Sequence, residues 1–204
     1  AGLNLSLLDP SNNGAAVIQS GRLAFNRVPT GNATHPQVWS QSTYSLSQGL
    51  VIRAEITTDS TLNENALVFA LDGNAPGGLQ REGFLIINGH LIKHERASGV
   101  SYDGVLGTVA ANTTYIVEIE TNASTTTTYI YAKGQDRASG YSFSRALTQA
   151  NFGDFKLVMH GALEPIAAGA SLFVDNLAII NTTAAVSTSY RYDAAGRLVA
   201  KVDG

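Results

Sequence analysis

The stretch Phe84-Leu-Ile-Ile-Asn-Gly-His-Leu-Ile-Lys-His94 decides how this chain is read. Two apolar-rich runs flank Asn88-Gly89, and a two-residue type I′ turn needs positive φ at both central positions, which Asn and Gly tolerate best. A hairpin of this kind fixes its own register. Ile87 then faces His90, Leu85 faces Ile92, Gly83 faces His94 and Arg81 faces Arg96, so Arg81, His94 and Arg96 gather at the far end of one face.

Strand signals of the same kind recur on both sides. Upstream, Leu3, Leu5 and Leu7 alternate with Asn4, Ser6 and Leu8 before Asp9-Pro-Ser-Asn-Asn-Gly breaks the run. Ala16-Val-Ile and Arg22-Leu-Ala-Phe flank a turn at Gln19-Ser-Gly21, and Val38-Trp-Ser-Gln-Ser-Thr-Tyr44 precedes Leu50–Thr57, where Ile52, Ala54 and Ile56 oppose Arg53, Glu55 and Thr57. Downstream, 114–120 and 126–133 pair around Asn122-Ala-Ser124, with Tyr115, Val117 and Ile119 toward a core and Ile116, Glu118 and Glu120 away from it. In 170–180 strict alternation sends Leu172, Val174, Ala178 and Ile180 to one side and Phe173, Asp175, Leu177 and Ile179 to the other. Both sides are mostly apolar, which predicts a strand in the middle of a sheet. Asp175 is the discordant residue, because a carboxylate leaving water needs hydrogen-bond donors or a cation.

Roughly a dozen such strands and no amphipathic helix predict an all-β fold, an antiparallel two-sheet β-sandwich. A chain of 204 residues can form one such sandwich. Charged residues make up 14%, against roughly 25% in an average soluble domain, and Ser, Thr, Asn and Gly take their place, a profile suited to work outside the cell. Cysteine is absent, so stability rests on the core and neither a disulfide nor a thiolate metal site is available. A net charge of −3 without a Lys or Arg run gives no footprint for nucleic acid, and no apolar run is long enough to span a bilayer. Ala1-Gly-Leu-Asn has no basic region before an apolar one, so the expectation is a removed leader or a piece of a longer chain.

The Ser20-Gly-Arg-Leu23 hairpin, Tyr115-Ile-Val-Glu-Ile followed by Tyr129-Ile-Tyr-Ala-Lys-Gly134, and Phe173-Val-Asp-Asn-Leu177 together resemble concanavalin-like or laminin-G-like jelly-roll modules of secreted bacterial proteins, over residues 1–182. The resemblance implies a jelly roll that binds polysaccharide. It also implies a structural calcium, held by Asp175 with a group near the N-terminus, for which Asp9 is the nearest acidic candidate. After a Thr-, Ala- and Ser-rich linker from 183, Tyr190-Arg-Tyr-Asp-Ala-Ala-Gly-Arg-Leu198 and Lys201-Val-Asp-Gly204 resemble one YD repeat of the Rhs family, through Tyr192, Asp193, Gly196, Arg197, Leu198 and Gly204. One repeat cannot bury its own apolar face, so the resemblance implies a chain that continues into a repeat shell.

Sugar recognition calls for a flat aromatic against a pyranose ring and planar polar groups for its hydroxyls. Trp39, the sole tryptophan, and Tyr102 offer the first, and Arg81, His94, Arg96 and Asp103 the second. Against this, a lone Trp also serves as a core or loop anchor, and the arginines could simply hold Glu82, Glu95 or Asp103. Two catalytic alternatives stand beside binding. Glu118 and Glu120, about 7 Å apart on one strand face, suit glycoside hydrolysis, although the Glu-x-Asp-x-x-Glu pattern of jelly-roll β-glucanases is missing. Arg81 or Arg96 could neutralise a uronate while His94 or Tyr102 removes a proton, as in a polysaccharide lyase. The resulting expectation is a non-catalytic carbohydrate-binding module, monomeric when isolated, at the front of a secreted or cell-surface Rhs/YD-repeat protein. A lyase or hydrolase on the same fold and a structural spacer or adhesion module are the alternatives.

Overall fold

The computed structural model describes residues 3–4, 16–26, 37–59, 66–75, 78–98, 100–160, 171–182, 187–192 and 198–203. In chain order the strands are β1 (Leu3–Asn4), β2 (Ala16–Gln19), β3 (Arg22–Asn26), β4 (Gln37–Ser40), β5 (Leu50–Thr57), β6 (Ala66–Gly73), β7 (Gln80–Ile87) and β8 (His90–Ala97). They continue with β9 (Val100–Thr108), β10 (Thr114–Thr121), β11 (Thr125–Ala132), β12 (Tyr141–Ala146), β13 (Phe155–His160), β14 (Ser171–Asn181), β15 (Ser187–Tyr192) and β16 (Leu198–Asp203). A single helical turn, Gln149–Phe152, precedes β13. Among the described residues no helix is long and apolar enough to cross a membrane.

The strands form two antiparallel sheets. Sheet A runs β1-β4-β13-β6-β7-β8-β9 and sheet B runs β12-β11-β10-β5-β14-β15-β16, with β3 and β2 also joined to sheet B through β14. Period-two alternation aims Leu67, Phe69, Leu71, Phe84, Ile86, Leu91, Leu157 and Met159 of sheet A at Ile52, Ala54, Ile56, Tyr115, Val117, Ile119 and Ile130 of sheet B, in one buried core. Phe69 and Phe84 stack there with ring centroids 5.7 Å apart. The expected all-β sandwich is what forms.

Local turn chemistry accounts for the registers. Asn88 and Gly89 take φ of 50° and 72°, and the pairing Arg81↔Arg96, Gly83↔His94, Leu85↔Ile92, Ile87↔His90 follows as the Asn-Gly turn requires. Ser20 and Gly21, at φ 52° and 78°, close β2 onto β3 in the same way. At the next hairpin Asn122 Oδ1 accepts the backbone N–H groups of Ser124 and Thr125, pinning the turn between β10 and β11.

Strand β14 is central, as expected, but its alternation is not strict. It lies between β5 on one side and both β3 and β15 on the other. A β-bulge between Asp175 and Ala178, with Asn176 at φ 47°, shifts the register by one residue. Leu172 and Val174 are in the core before the bulge, but after it Leu177 and Ile179 pack against the core, while Ala178 and Ile180 stand opposite Arg53 and Val51. Beyond β14 the chain is not a free tail along its described backbone: β15 pairs with β14 through Ala178↔Ser189 to Ile180↔Ser187, and β16 pairs with β15.

Candidate functional site

Sheet A has a second face, turned away from sheet B, and its registers line residues up across the strands. One row crosses all seven strands: Asn4, Trp39, Val158, Ala70, Gly83, His94 and Asp103. A flanking row holds Lys156, Asp72, Arg81, Arg96 and Ser101, and the opposite flank holds Gln37, His160, Val68, Leu85, Ile92 and Val105. Val68, Ala70 and Val158 form a small apolar cluster, and half-buried Trp39 and Leu85 pack on it. An aromatic and a bank of polar groups therefore share one surface.

Arg81 is the hub of that bank. Its Nε and Nη2 donate to Asp72 Oδ1 and Oδ2 at 2.5 and 2.6 Å, a bidentate pair in which both side chains are buried. Its Nη1 lies 3.1 Å from His160 Nε2 and 3.4 Å from His94 Nε2. A guanidinium only donates, so both imidazoles meet it with an Nε2 lone pair. That leaves the proton of His94 on Nδ1, where it donates to Asp103 Oδ1 at 2.8 Å. The chain Asp103, His94, Arg81, Asp72, with His160 as a branch, is thus one continuous network across β9, β8, β7, β6 and β13. Arg96 Nε donates to Ser101 Oγ at 3.1 Å.

Behind this network, between the sheets, lies a second polar group. Glu82 points inward and is fully buried, and its Oε1 has no hydrogen-bond partner. Burial, reinforced by the nearby Glu95 carboxylate, pushes the Glu82 carboxyl up to about 8. Arg145 reaches over from β12: its Nη1 donates to the carbonyl oxygen of Arg81 at 3.0 Å and lies 3.4 Å from both Glu82 Oε2 and the Arg96 carbonyl oxygen. Lys93 Nζ meets Glu95 Oε1 at 3.2 Å.

Of the six residues expected to bind sugar, Trp39, Arg81, His94, Arg96 and Asp103 share the outer face of sheet A. Tyr102 does not; it stands opposite Glu95, on the other side of edge strand β9, and is 54% exposed. Arg81 holds Asp72 and Arg96 meets Ser101, so neither of these two holds Glu82, Glu95 or Asp103; it is Arg145 that reaches Glu82. Asp72 and His160 belong to the site and went unrecognised in the sequence.

Glu118 and Glu120 lie on the outer face of sheet B, far from this network in the fold. Arg137 Nη1 is 2.7 Å from Glu120 Oε1 and 3.4 Å from Glu118 Oε2, and Arg53 Nε is 3.2 Å from Glu118 Oε1. The Arg137 guanidinium also covers the Tyr129 ring at 3.3 Å from its centroid. These two carboxylates are paired with arginines. Asp175 accepts the Asn176 N–H at 2.8 Å and faces Glu55, which Lys133 engages at 2.9 Å. Among the described residues no three acidic or histidine side chains stand together as a metal site. Asp9 lies outside the described residues.

No family model and no curated sequence matches the chain. Solved structures do. A family 7 alginate lyase in complex with product superposes with a TM-score of 0.55 at 11% identity, over 81% of this chain and 83% of the other. Peanut lectin gives 0.55 at 10% identity over 86% and 97%, and a Bacillus licheniformis β-glucanase 0.55 at 12% over 78% and 78%. The fold is the lectin-like jelly-roll β-sandwich that carries both sugar-binding proteins and carbohydrate-active enzymes. At these identities the likeness speaks for the fold alone.

Proposed function

We propose that the outer face of sheet A binds polysaccharide, and that this chain is a non-catalytic carbohydrate-binding module. One observation carries the reading: a single register row sets half-buried Trp39 and its apolar floor on the same face as the planar groups of His94 and Asp103, four and five strands further along, with Arg81 and Arg96 in the adjacent row, a span that suits successive units of one polysaccharide chain. An indole offers a flat apolar surface to the C–H face of a pyranose, and the polar bank offers directed hydrogen bonds to its hydroxyls. Binding without turnover fits the partners already taken: the Arg81 charge is matched by Asp72, and both His94 nitrogens are hydrogen-bonded.

A second reading, a polysaccharide lyase or hydrolase, is favoured by the Asp103–His94–Arg81–His160 chain. A carboxylate that orients an imidazole beside a cation is a familiar acid–base arrangement, and the 3.4 Å contact at His94 Nε2 is long enough to be exchanged for a substrate proton. The two readings separate in one experiment. Calorimetric binding to a panel of soluble polysaccharides, with parallel assays for reducing ends and unsaturated uronates, should give binding and no product. Product accumulation would establish the enzyme, and neither signal would leave a spacer or adhesion module.

The same proposal sets the module, as a monomer, in a secreted or cell-surface bacterial protein of Rhs/YD type. Support comes from the Tyr192, Asp193, Gly196 and Arg197 pattern and from the antiparallel pairing of β15 with β16 around it.

A further inference from the structure

Resting on the sugar-binding reading, we infer that the ligand of this face is an acidic polysaccharide, one whose sugar carboxylates are bound by Arg96 and Lys156. Both carboxylates on the face are already committed: Asp72 gives both its oxygens to Arg81, and Asp103 accepts from His94. Its cations are not all matched. Among the described residues Arg96 has only the hydroxyl of Ser101 as a side-chain partner, and Lys156 has no hydrogen bond or ion pair.

These two cations belong to one row, Lys156, Asp72, Arg81, Arg96, on four neighbouring strands. Three inter-strand spacings put their backbone positions about 14 Å apart, with the buried Arg81–Asp72 pair between them. Both are partly buried rather than fully solvated. A partly desolvated cation gains most from an anion brought to it, through a charge-assisted hydrogen bond. The Arg96 fork, with Nε held by Ser101, keeps its two terminal nitrogens for the two oxygens of a carboxylate. A neutral glycan would use Trp39 and the polar bank but would leave both charges unmatched. The whole chain carries −3, so the cation excess is a property of this face and not of the protein at large.

The test compares a soluble polyuronate with the same polymer after its carboxyl groups have been reduced to alcohols, and with a sulfated polymer of equal charge density. The polyuronate should bind at least tenfold more tightly than its reduced form, and its affinity should fall as salt rises. Lys156→Gln should weaken polyuronate binding several-fold and leave binding of the reduced polymer unchanged, and Arg96→Gln should weaken polyuronate binding by a clearly larger factor than it weakens binding of the reduced polymer. Lys133→Gln, on the outer face of sheet B, should change neither, and unchanged melting temperatures would show that the variants fold. Equal affinity for the two polymers would overturn the acidic assignment while the sugar-binding reading stands. Tighter binding of the sulfated polymer would overturn the carboxylate assignment, and failure of every polysaccharide to bind would remove both readings.

Discussion

Arg81 and Asp72 stand directly opposite each other on β7 and β6, and the guanidinium grips both carboxylate oxygens in a pair buried on the face away from the core. Such a pair gains little over an apolar substitute, but breaking it strands a charge. Asp72→Ala should therefore cost about 3 to 5 kcal/mol of stability. The double variant Asp72→Leu/Arg81→Leu should recover most of that loss. Urea denaturation of the single and double variants measures the coupling, and a single variant as stable as the wild type would mean that the pair is idle.

Glu82 makes stability depend on pH in the direction opposite to an ordinary paired carboxylate. Its folded value is raised from 4.5 to about 8 by burial and by Glu95, so between these limits the folded chain keeps a proton that the unfolded chain has released. Stability is then fully present below about 4.5, falls as pH rises toward 8, and levels off above. Glu82→Gln imitates the protonated side chain and can still accept from Arg145. It should match the wild type near pH 4.5 and exceed it near pH 8.5 by a few kcal/mol, at about 1.4 kcal/mol per unit of displacement. Melting curves across that range give the answer, and a constant difference between the two proteins would show that Glu82 does not titrate as described.

Gly83 is the point of closest approach beneath the site. A Cβ there would lie 2.3 Å from the Phe69 carbonyl oxygen and 2.5 Å from Ala70 Cα, both backbone atoms of β6 that cannot swing aside. Gly83→Ala should push β7 from β6, costing about 2 kcal/mol or more. Gly83 stands between Ala70 and His94 in the site row, so glycan affinity should fall together with the melting temperature. A variant that melts like the wild type would show that the strands can separate at no cost.

What could be read from the sequence depended on whether a turn of known geometry linked the residues concerned. Asn88-Gly89 allowed the pairing of Arg81 with Arg96 and of Gly83 with His94 to be counted outward from the turn. Asp72 and Arg81 are joined by the longer connection 74–79, which fixes no register by its residue types, so their pairing cannot be counted out from a turn. His160 reaches the site because β13 lies between β4 and β6, a pairing of segments distant in the chain that no local signal announces. Tyr102 was grouped with Asp103 although neighbours on a strand face opposite ways. The bulge in β14 had one hint, Asn176, a residue type that tolerates the left-handed region.

A structural calcium at Asp175 is open to direct measurement. Asp175 accepts the Asn176 N–H and stands opposite Glu55, whose charge Lys133 meets. With calcium on Asp175, chelation should lower the melting temperature of the wild type and leave that of Asp175→Ala unchanged, and equal responses would reject the assignment. A drop confined to the wild type would establish a bound cation with Asp175 among its ligands, and Asp9→Ala would then show whether that residue completes the site.

Trp39 is the only tryptophan, so its fluorescence reports on the proposed surface without any label. The indole is half-buried, packed on the cluster of Val68, Ala70 and Val158, in the same row as His94 and Asp103. A pyranose laid against it would displace water from the exposed part of the ring and shift the emission to shorter wavelength. Titration with a bound polysaccharide should give a saturable shift whose midpoint equals the calorimetric Kd. Trp39→Phe keeps part of the apolar contact and should weaken binding by about 1 kcal/mol, within the range for aromatic contacts, while Trp39→Ala should also lower the melting temperature by uncovering the apolar cluster. Calorimetric saturation with no change in emission would move the ligand off this face, and with it the roles assigned to Arg96 and Lys156.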